Sequence, residues 1–332
     1  MFRNLKVAHN RFRNHLAYYH RSTFVSGMPK VFSIEINNVC NLRCQFCPYQ
    51  YMTRKKEFMS FVTFKKIIDE IKETTNFIFL HNFGEPLLHP QLVRFINYAS
   101  SKGIKVGLST NCTRLTAEKS IALLKSKLYL IILCVDGATK KTYEMLRKGG
   151  NYEKVMNNVD NFLNYRNRLG KIKRVYVQII QVKENKNEIK KFMKHWENKY
   201  PDVGISIKPF DTFGGKIKMK SSLTIADSLK HKQRYPCKWL WDMTVILSNG
   251  DVALCCRDYD GKIIIGNVKK NTLKKIWNSL AIRKERQHQI NGRFDNGLCN
   301  NCPEWIGNES NALYPFSRTF IKDTKKFKYG VD

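Results

Sequence analysis

The sequence predicts an α/β fold: a partial barrel of six strand–helix units, followed by a small domain made of a β-hairpin and a helix. Short apolar runs alternate with longer runs in which apolar residues recur every three or four positions, as at Phe64, Ile67 and Ile68. This alternation ends after Pro209, where a polar stretch with a Gly-Gly pair follows. Alternating strands and helices imply parallel strands with right-handed crossovers. A doubly wound sheet and a barrel both satisfy this pattern, and we favour the barrel.

The elements of the barrel follow from the lengths of these runs. The strand runs are too short for helices, and most are bounded by turn or polar residues. The predicted strands are 31–37, 77–81, 104–109, 129–135, 174–182 and 203–209. The predicted helices are 60–74, 90–102, 117–126, 140–148, 152–169 and 187–200. Each of the first five strands is therefore followed by one or two helices, as a βα barrel requires.

The chain divides into five predicted segments. Residues 1–30 form a basic, helical N-terminal extension, 31–215 the partial barrel, 216–236 a linker, 237–310 the small second domain, and 311–332 a basic, weakly patterned tail. We expect the barrel and the second domain to carry the chemistry.

The second domain has a clear hairpin signal. Asn249-Gly250 separates two alternating runs, and this dipeptide is typical of a type I′ turn, which needs positive φ at both central residues. A helix is predicted from 272 to about 289, with Asn271 or Thr272 as its N-cap. The domain is therefore different in kind from the barrel that precedes it.

Composition excludes several protein classes. With 332 residues, 42% hydrophobic content, 18 Gly and 9 Pro, the chain is neither disordered nor collagenous. The longest strongly apolar run, 128–135, is far shorter than the ~20 residues that cross a bilayer, and no signal-peptide pattern is present. A cytoplasmic location is expected. The net charge of +32 favours anionic partners, but the basic residues are scattered, so we interpret it as a general surface property and consider nucleic acid an improbable partner.

Three cysteines directly follow the first predicted strand. Cys40, Cys44 and Cys47 lie on one short loop, which can present three thiolates to three corners of a cubane iron–sulfur cluster and leave one iron open to a ligand. The carboxyl end of a barrel strand is also where such folds carry their chemistry. The alternative is a zinc site completed by a distant Cys112, Cys134 or histidine, although structural zinc usually has two paired ligands and a closed tetrahedron.

The second domain holds a further set of thiols. Its four separated cysteines fit either a closed iron–sulfur cluster or a zinc ion on ligand count, and they are Cys237, Cys255, Cys299 and Cys302. In an intracellular chain, clustered thiols are more often ligands or catalysts than disulfides. Cys112 and Cys134 lie in or beside predicted strands, and we interpret both as small buried hydrophobic residues.

The first loop resembles a known family. Its CxxxCxxC spacing, with Phe46 before the last cysteine, is similar to the signature of the radical S-adenosylmethionine (SAM) enzymes, and the resemblance covers about residues 31–209. In that family the open iron is chelated by the amino and carboxylate groups of SAM. An electron from the cluster then cleaves SAM to a 5′-deoxyadenosyl radical, which abstracts hydrogen from the substrate.

The resemblance also implies cofactor-binding residues. The segment N-F-G-E-P at 82–86 is similar to the family's GGEP segment, so Glu85 would meet the methionine ammonium. Ser109 to Asn111 resembles the ribose-binding segment, or is alternatively a helix-cap cluster. Arg147 would pair with the methionine carboxylate, or is alternatively a solvent-facing helix residue. The implied cofactor residues are Phe46, Glu85, Ser109, Asn111 and Arg147, and His81 and Asn82 are further candidates to line the site.

The later cysteines resemble the SPASM extension of the same enzymes, over about residues 237–305. Because no cysteine follows Cys302, the resemblance is to the shortened, twitch-type form with one auxiliary [4Fe–4S] cluster. Cys256, beside Cys255, is a candidate hydrogen-atom donor, as in radical epimerases. The alternative is a strand residue that packs away from the cluster, since adjacent strand residues face opposite sides.

The resemblance thus implies two [4Fe–4S] clusters, SAM, and an electron donor such as flavodoxin or ferredoxin. The expected reaction is the dehydrogenation of a sugar, cyclitol or related metabolite, because one auxiliary cluster is associated with two-electron oxidation in the relatives. The enzyme alternatives are epimerisation and modification of a peptide, of the ribosomal-peptide or sulfatase-maturation type. The non-enzyme alternative is a zinc-bound, basic nucleic-acid-binding protein.

Overall fold

A computed structural model describes residues 2–170, 172, 174–217, 234–303, 305 and 320–322. Its main feature is a ten-stranded sheet. The strands of the described residues, in order, are β1 (Val31–Ile34), β2 (Arg43–Cys44), β3 (Phe77–Phe79), β4 (Lys105–Thr110), β5 (Leu130–Cys134), β6 (Arg147–Lys148), β7 (Arg174–Gln181), β8 (Gly204–Pro209), β9 (Met243–Ile246), β10 (Asp251–Ala253), β11 (Ile264–Asn267) and β12 (Phe320–Lys322). Strands β2 and β6 form a separate two-stranded sheet.

The strand order confirms the predicted α/β fold with a parallel barrel sheet. The large sheet runs β11-β10-β9-β1-β3-β4-β5-β7-β8-β12, and β1, β3, β4, β5, β7 and β8 pair in parallel. These six strands coincide with the six predicted runs. Strand β9 pairs in parallel with β1, and β10 and β11 follow it antiparallel. The hairpin of the second domain therefore extends the barrel sheet rather than forming a sheet of its own.

The helices lie between the strands as the periodicity predicts. They are α1 (Phe2–Tyr19), α2 (Phe61–Ile71), α3 (Leu92–Ser101), α4 (Ala117–Lys125), α5 (Lys140–Leu146), α6 (Tyr152–Leu169), α7 (Ile189–Lys199), α8 (Trp239–Asp242), α9 (Leu273–Trp277) and α10 (Leu280–Ile290). Four barrel helices begin at a side chain that accepts a hydrogen bond from the backbone N–H three residues later, and these N-caps are Ser60, Thr116, Thr139 and Asn151. Local sequence thus fixes where these helices start.

Two faces of the barrel sheet are buried in different ways. The outer face packs against the helices, where Phe64 of α2 stacks on Phe95 of α3 with ring centroids 4.3 Å apart. The inner face carries a cluster that includes Phe79, Ile132 and Tyr176 toward the amino ends of the strands. Apolar side chains thus fill that end of the barrel, and polar side chains occupy the carboxyl end.

The hairpin is confirmed, but its predicted turn type is wrong. Gly250 has φ +90, whereas Asn249 is not among the residues with positive φ, so the turn is not type I′. The Gly250 N–H donates to the Leu247 carbonyl at 2.9 Å, which closes a turn that is followed by a glycine at positive φ. This is the geometry of a three-residue hairpin loop. A dipeptide alone could not distinguish the two loops.

The single helix predicted from 272 to 289 is two helices, α9 and α10. Thr272 caps α9, as predicted, by accepting from the Lys275 N–H. The break falls at Asn278, whose side chain both accepts from the Val25 N–H and donates to the Val25 carbonyl, at 2.9 Å in each case. A tertiary contact with the N-terminal region therefore ends the first helix.

The two chain ends also depart from simple expectations. The helical N-terminal extension is confirmed as α1, which Asn10 and Asn14 anchor by donating to the Met28 carbonyl. Residues 218–233 of the predicted linker lie outside the described residues. The tail was predicted as coil, yet β12 pairs antiparallel with β8, so this part of the prediction is wrong. In the described part of the chain, no helix combines the length and apolarity needed to cross a membrane.

Candidate active site at the carboxyl ends of the barrel strands

The three cysteines of the first loop lie together beyond β1. Cys44 belongs to β2, and the Cys47 N–H donates to its carbonyl at 3.1 Å. Burial, together with the negative charge of Cys40, raises the pKa of Cys47 to about 11. Burial likewise raises the pKa of Cys40 and Cys44. Buried, mutually repelling thiolates need compensating cations, so this donor set fits an iron cluster.

The spacing of these thiols bears on the zinc alternative. Within the described ranges, no three His, Cys, Asp or Glu side chains converge where one metal ion could sit. A mononuclear zinc site requires ligands that meet at a single point. A cubane cluster instead presents its irons at separate corners, each with its own thiolate. Three separate thiolates on one loop are the donor set that a cubane cluster with one open iron requires.

Gly84 lets the loop after β3 pack closely against the loop after β1. It has φ +93, and a Cβ there would lie 2.6 Å from the Asn37 carbonyl oxygen, so no other residue fits without a shift of backbone. The next N–H, of Glu85, donates to the Val39 carbonyl at 2.7 Å, directly before Cys40. The N-F-G-E-P segment thus supports the cysteine loop through its backbone.

Glu85 joins the ends of β3 and β4 through its carboxylate. The side chain is buried and accepts from the Leu87 N–H at 3.0 Å, the Thr110 hydroxyl at 2.7 Å and the Asn111 N–H at 2.7 Å. Burial raises the pKa of Glu85, and these donors oppose that rise. Three of its roughly four acceptor positions are used within the chain, which leaves one for a ligand. The predicted contact with the methionine ammonium stays a prediction, and the positioning role is new.

Asn111 faces the cysteine loop. Its amide nitrogen lies 3.8 Å from the Cys40 sulfur and 3.2 Å from the Asn41 side-chain oxygen. The helix-cap alternative for this segment is wrong, because the N-cap of α4 is Thr116. Asn111 is therefore held at the first cluster site, and ribose binding stays a prediction for it.

Arg147 is buried beside the same loop. The pairing of β6 with β2 sets Arg147 opposite Cys44. The guanidinium Nη1 lies 3.9 Å from the Cys44 sulfur, and the guanidinium carbon lies 5.7 Å from the centre of the Phe46 ring. Its Nε donates to Asp136 at 2.8 Å, and its Nη2 donates to the same carboxylate oxygen. The solvent-facing alternative is therefore wrong. Pairing with a methionine carboxylate stays a prediction, and any such ligand would share Arg147 with Asp136.

Ser109 lies on the inner face of the barrel rather than beside the cysteine loop. Its N–H donates to the Nδ1 of His81 at 3.1 Å, and its hydroxyl lies 3.1 Å from the Cys134 sulfur. Gln178 donates to the same sulfur at 3.5 Å. Burial raises the pKa of Cys134 to about 11, so its thiol is protonated at neutral pH. Cys134 is therefore part of a polar inner wall, whereas Cys112 is buried in the main core as predicted.

The cysteines of the second domain also come together. Burial, together with the negative charge of Cys299, raises the pKa of Cys237 to about 12. Burial and then the charges of Cys256 and Cys299 raise the pKa of Cys255 in the same way. The Cys302 N–H donates to the Cys299 carbonyl at 3.2 Å, which closes the C-x-x-C turn. The charge interactions thus place Cys237 and Cys255 near Cys299, and the turn keeps Cys302 beside Cys299, an arrangement that fits the separate corners of a second cluster.

Cys256 has surroundings of its own. Strand β10 ends at Ala253, so the predicted strand alternation does not apply to Cys255 and Cys256. Cys256 packs with the side chains of β9, while Cys255 packs at the edge of the main core. The Arg257 guanidinium lies 3.3 Å from the Cys256 sulfur and pairs with Asp211, just after β8, at 2.8 Å.

An aromatic group connects the two cysteine regions. The Phe83 ring centre lies 5.8 Å from that of Phe213 and 6.2 Å from that of Tyr259, and Cys40 and Cys47 pack against the same group. Tyr259 follows Cys255 by only a few residues. No sequence motif indicates these contacts, because Phe213 and Tyr259 lie on loops without a recognisable pattern.

Comparisons with known proteins agree with this geometry. Residues 34–195 match the family model of the radical SAM superfamily, and residues 237–303 match the SPASM model, an iron–sulfur cluster-binding domain. Together the matches span about two thirds of the chain. The protein belongs to the radical SAM superfamily and carries a SPASM domain. These domains imply a [4Fe–4S] cluster in each and the binding of SAM.

Relatives show how far the likeness extends. A tungsten-containing aldehyde ferredoxin oxidoreductase cofactor-modifying protein of Pyrococcus furiosus is 27% identical over 176 residues, which are 51% of this chain and 48% of the relative. The match therefore spans about half of that relative. Among solved structures, Streptococcus suis SuiB bound to precursor peptide SuiA has a TM-score of 0.67 at 18% identity and covers 88% of this chain and 73% of its own. The structure of BtrN in complex with AdoMet and 2-DOIA has a TM-score of 0.59 at 15% identity. The match covers 88% of this chain and 99% of the BtrN chain. At these identities the solved structures establish the fold.

Proposed function

We propose that the protein cleaves SAM reductively and removes a hydrogen atom from an unactivated carbon of a small polar metabolite, with dehydrogenation as the net reaction. A sugar, a cyclitol or a related compound is the proposed substrate class. The observation that carries this proposal is the contact group of Phe83, Phe213 and Tyr259, which packs against Cys40 and Cys47 and includes a residue of the loop that follows Cys255.

The first loop would hold the cluster and SAM through its own residues. Cys40, Cys44 and Cys47 would ligate three irons, and the bound pair would supply a 5′-deoxyadenosyl radical for hydrogen abstraction. Arg147 and Asn111 lie beside these cysteines and carry five and two N–H donors, respectively, for anionic or polar groups. Their fixed partners, Asp136 and Asn41, hold both side chains in place before any ligand arrives.

Oxidation requires a place for the second electron. After loss of a hydrogen atom, a substrate radical reaches a carbonyl product by losing one more electron and a proton. An acceptor held by Cys237, Cys255, Cys299 and Cys302 would supply that oxidising equivalent. The ion pair between Arg257 and Asp211 ties the auxiliary loop to the end of β8, on the substrate side of the barrel. This proximity favours dehydrogenation.

The second candidate reaction is epimerisation or modification of a peptide. Cys256 favours it, because its thiol is buried and packs with the side chains of β9, whereas Cys255 packs at the edge of the main core. A thiol that does not ligate the auxiliary cluster would serve as the hydrogen-atom donor. A donor thiol returns hydrogen to the substrate radical, so the second electron does not leave the substrate. The two reactions thus make opposite demands on Cys256.

Isotope incorporation separates these reactions. Sugars, cyclitols and short peptides are screened for formation of 5′-deoxyadenosine, and the active compound is then converted in deuterated water. We expect a carbonyl product without deuterium at the reacting carbon, and full activity in Cys256→Ala. Cys112→Ala, which removes a buried thiol outside both cysteine sets, is the matched control. Deuterium at the reacting carbon that disappears in Cys256→Ala would establish epimerisation instead.

The family assignment leaves two further proposals for the intact protein. We propose that a flavodoxin or ferredoxin supplies the reducing electron, and that the protein works in the cytoplasm. The zinc-bound nucleic-acid-binding alternative is not pursued, because the radical SAM and SPASM matches account for both sets of cysteines.

A further inference from the structure

The carboxyl end of the barrel has a polar inner wall that lies apart from both cysteine sets. Strand pairing sets Cys134 of β5 opposite Gln178 of β7, and Gln178 opposite Ser206 of β8. Successive strand residues alternate between faces, so Lys208 shares the inner face with Ser206. The charge of Lys208 lowers the pKa of both His81 and Cys134, which places its ammonium near both side chains.

His81 presents a neutral donor to this space. Its Nδ1 accepts from the Ser109 N–H at 3.1 Å, which assigns the ring proton to Nε2. Burial, together with the charge of Lys208, lowers the pKa of His81 to about 3, so the ring is neutral at physiological pH. Among the described residues, Nε2 has no hydrogen-bond partner, and the side chain is only partly buried. The Nε2–H is therefore free to donate to a ligand.

Lys208 and Ser206 lack partners in the same space. The half-buried ammonium of Lys208 has no carboxylate within 4.0 Å in the described part of the chain. The Ser206 hydroxyl is fully buried and likewise has no partner there. The buried carboxylates nearest along the wall are already committed, with Asp136 paired to Arg147 and Glu85 bonded to backbone N–H groups. The Lys208 ammonium and the Ser206 hydroxyl are therefore the polar groups of this wall that a ligand can engage.

We propose that this wall is an anion subsite, at which Lys208 and the His81 Nε2–H bind a carboxylate or phosphate group of the substrate. The inference rests on the proposed function, since it names a feature of that substrate. The ammonium neutralises the charge, and the neutral imidazole adds a directed hydrogen bond without repelling Lys208. The Ser206 hydroxyl and the Gln178 amide supply further polar contacts. The substrate is thus a polar metabolite that carries an anionic group.

The test measures anion binding without turnover. Reconstituted holoenzyme with SAM is titrated anaerobically with inorganic phosphate and, separately, with acetate by calorimetry, in wild type, Lys208→Met and Lys208→Arg. Lys105→Met is the matched control, because Lys105 lies on the inner face near the opposite end of the barrel, over the Tyr129 ring. Loss of a charge-assisted hydrogen bond should weaken binding about tenfold in Lys208→Met, while Lys208→Arg and Lys105→Met stay near wild type. Phosphate binding tighter than acetate identifies a phosphorylated substrate, and the reverse identifies a carboxylate.

The outcomes separate the subsite from the reaction. A second neutral variant, Lys208→Gln, and thermal unfolding of every variant show whether a loss of anion affinity reflects misfolding. Lys208→Met and Lys208→Gln should both bind the anion weakly and unfold at the temperature of the wild type. Equal affinity in wild type and both neutral variants, or equal losses in Lys208→Met and Lys105→Met, would overturn the anion subsite. Cleavage of SAM is measured in parallel. If the wild type does not cleave SAM, the proposed function is overturned, whereas the calorimetric titrations still decide whether the wall binds anions.

Discussion

The two cysteine regions are built in contrasting ways. Cys40, Cys44 and Cys47 lie on one short loop, fixed by the β2–β6 pair and by the backbone of Glu85. The auxiliary cysteines come from three separate places in the chain. Gln289 accepts from the Cys237 N–H at 3.0 Å and so joins two distant segments of this site, whereas Asn296 fixes the C-x-x-C turn locally by accepting from the Cys299 N–H at 2.6 Å.

The two cysteine sites therefore depend on the sequence in different ways. A short loop with fixed spacing carries its ligand geometry in its own sequence, so damage to it should be local and complete. A dispersed site depends on the sheet that brings its parts together, so its integrity should depend on folding. Experiments that remove one region at a time can test this difference.

Removal of the thiols should have the largest effect. Wild type should hold about eight irons per chain after anaerobic reconstitution, four in each cluster. Replacement of Cys40, Cys44 and Cys47 by Ala should halve the iron and abolish formation of 5′-deoxyadenosine. Replacement of Cys299 and Cys302 should remove the other half of the iron while SAM cleavage continues. Iron analysis and chromatography of the nucleoside products measure both results.

The same samples test the nature of the auxiliary site. The Cys112→Ala variant serves as control, because this thiol is buried in the main core and should leave the iron content unchanged. Stoichiometric zinc that is lost with Cys299 and Cys302 would show that the second domain binds a single ion, and the contrast between two clusters would then disappear.

Replacement of the buried arginine in each region should give the next largest difference, measured as loss of unfolding free energy. In the first region Arg147 pairs with the fully buried Asp136, so Arg147→Met leaves an uncompensated charge and should cost about 3–5 kcal/mol. In the second domain Arg286 is equally buried but bonds the carbonyl groups of Leu240, Thr23 and Trp277. Arg286→Met leaves neutral acceptors, for which about 1–3 kcal/mol is expected. Denaturant unfolding of the reconstituted variants measures both values.

A second variant verifies the cause in the first region. Asp136→Asn combined with Arg147→Met removes both charges and should recover part of the stability lost in Arg147→Met alone. If the double variant is no more stable than the single one, the loss comes from packing rather than from the stranded carboxylate.

Glu85 should affect cofactor binding more moderately. Hydrogen bonds to charged groups contribute about 1.5–3 kcal/mol, so Glu85→Ala should weaken SAM binding about ten- to a hundredfold with both clusters intact. Equilibrium dialysis and iron analysis measure these quantities. Glu85→Gln, which preserves the side-chain shape, should lose less. An unchanged dissociation constant in Glu85→Ala would limit this residue to joining the strand ends.

The smallest predicted effects concern cooperativity. Ser60 caps α2 in the barrel and Thr272 caps α9 in the second domain, and replacement of either by Ala should cost about 1 kcal/mol. Because β9 pairs directly with β1, we expect one unfolding transition that both variants shift equally. Two transitions in calorimetry, each moved by only one variant, would mean that the regions fold independently despite the shared sheet.

Much of the barrel could be predicted because its signals are local. Each strand run and each helix periodicity occupies a few consecutive residues, and caps such as Ser60 and Thr272 mark where helices begin. The first cysteine loop follows the same rule. The errors arose where a distant partner decided the outcome, as at Asn278, whose bonds with Val25 divide one predicted helix into two.

The sequence by itself determined the order of strands and helices, the three-thiol loop and the family, since all of these depend on spacing along the chain. Only the tertiary structure decided that the auxiliary hairpin extends the barrel sheet, that Arg147 is held by Asp136, and that Lys208 faces His81. These last facts depend on strand pairing across large sequence separations. Because pairing sets which side chains share a face, no local pattern in the sequence could reveal them.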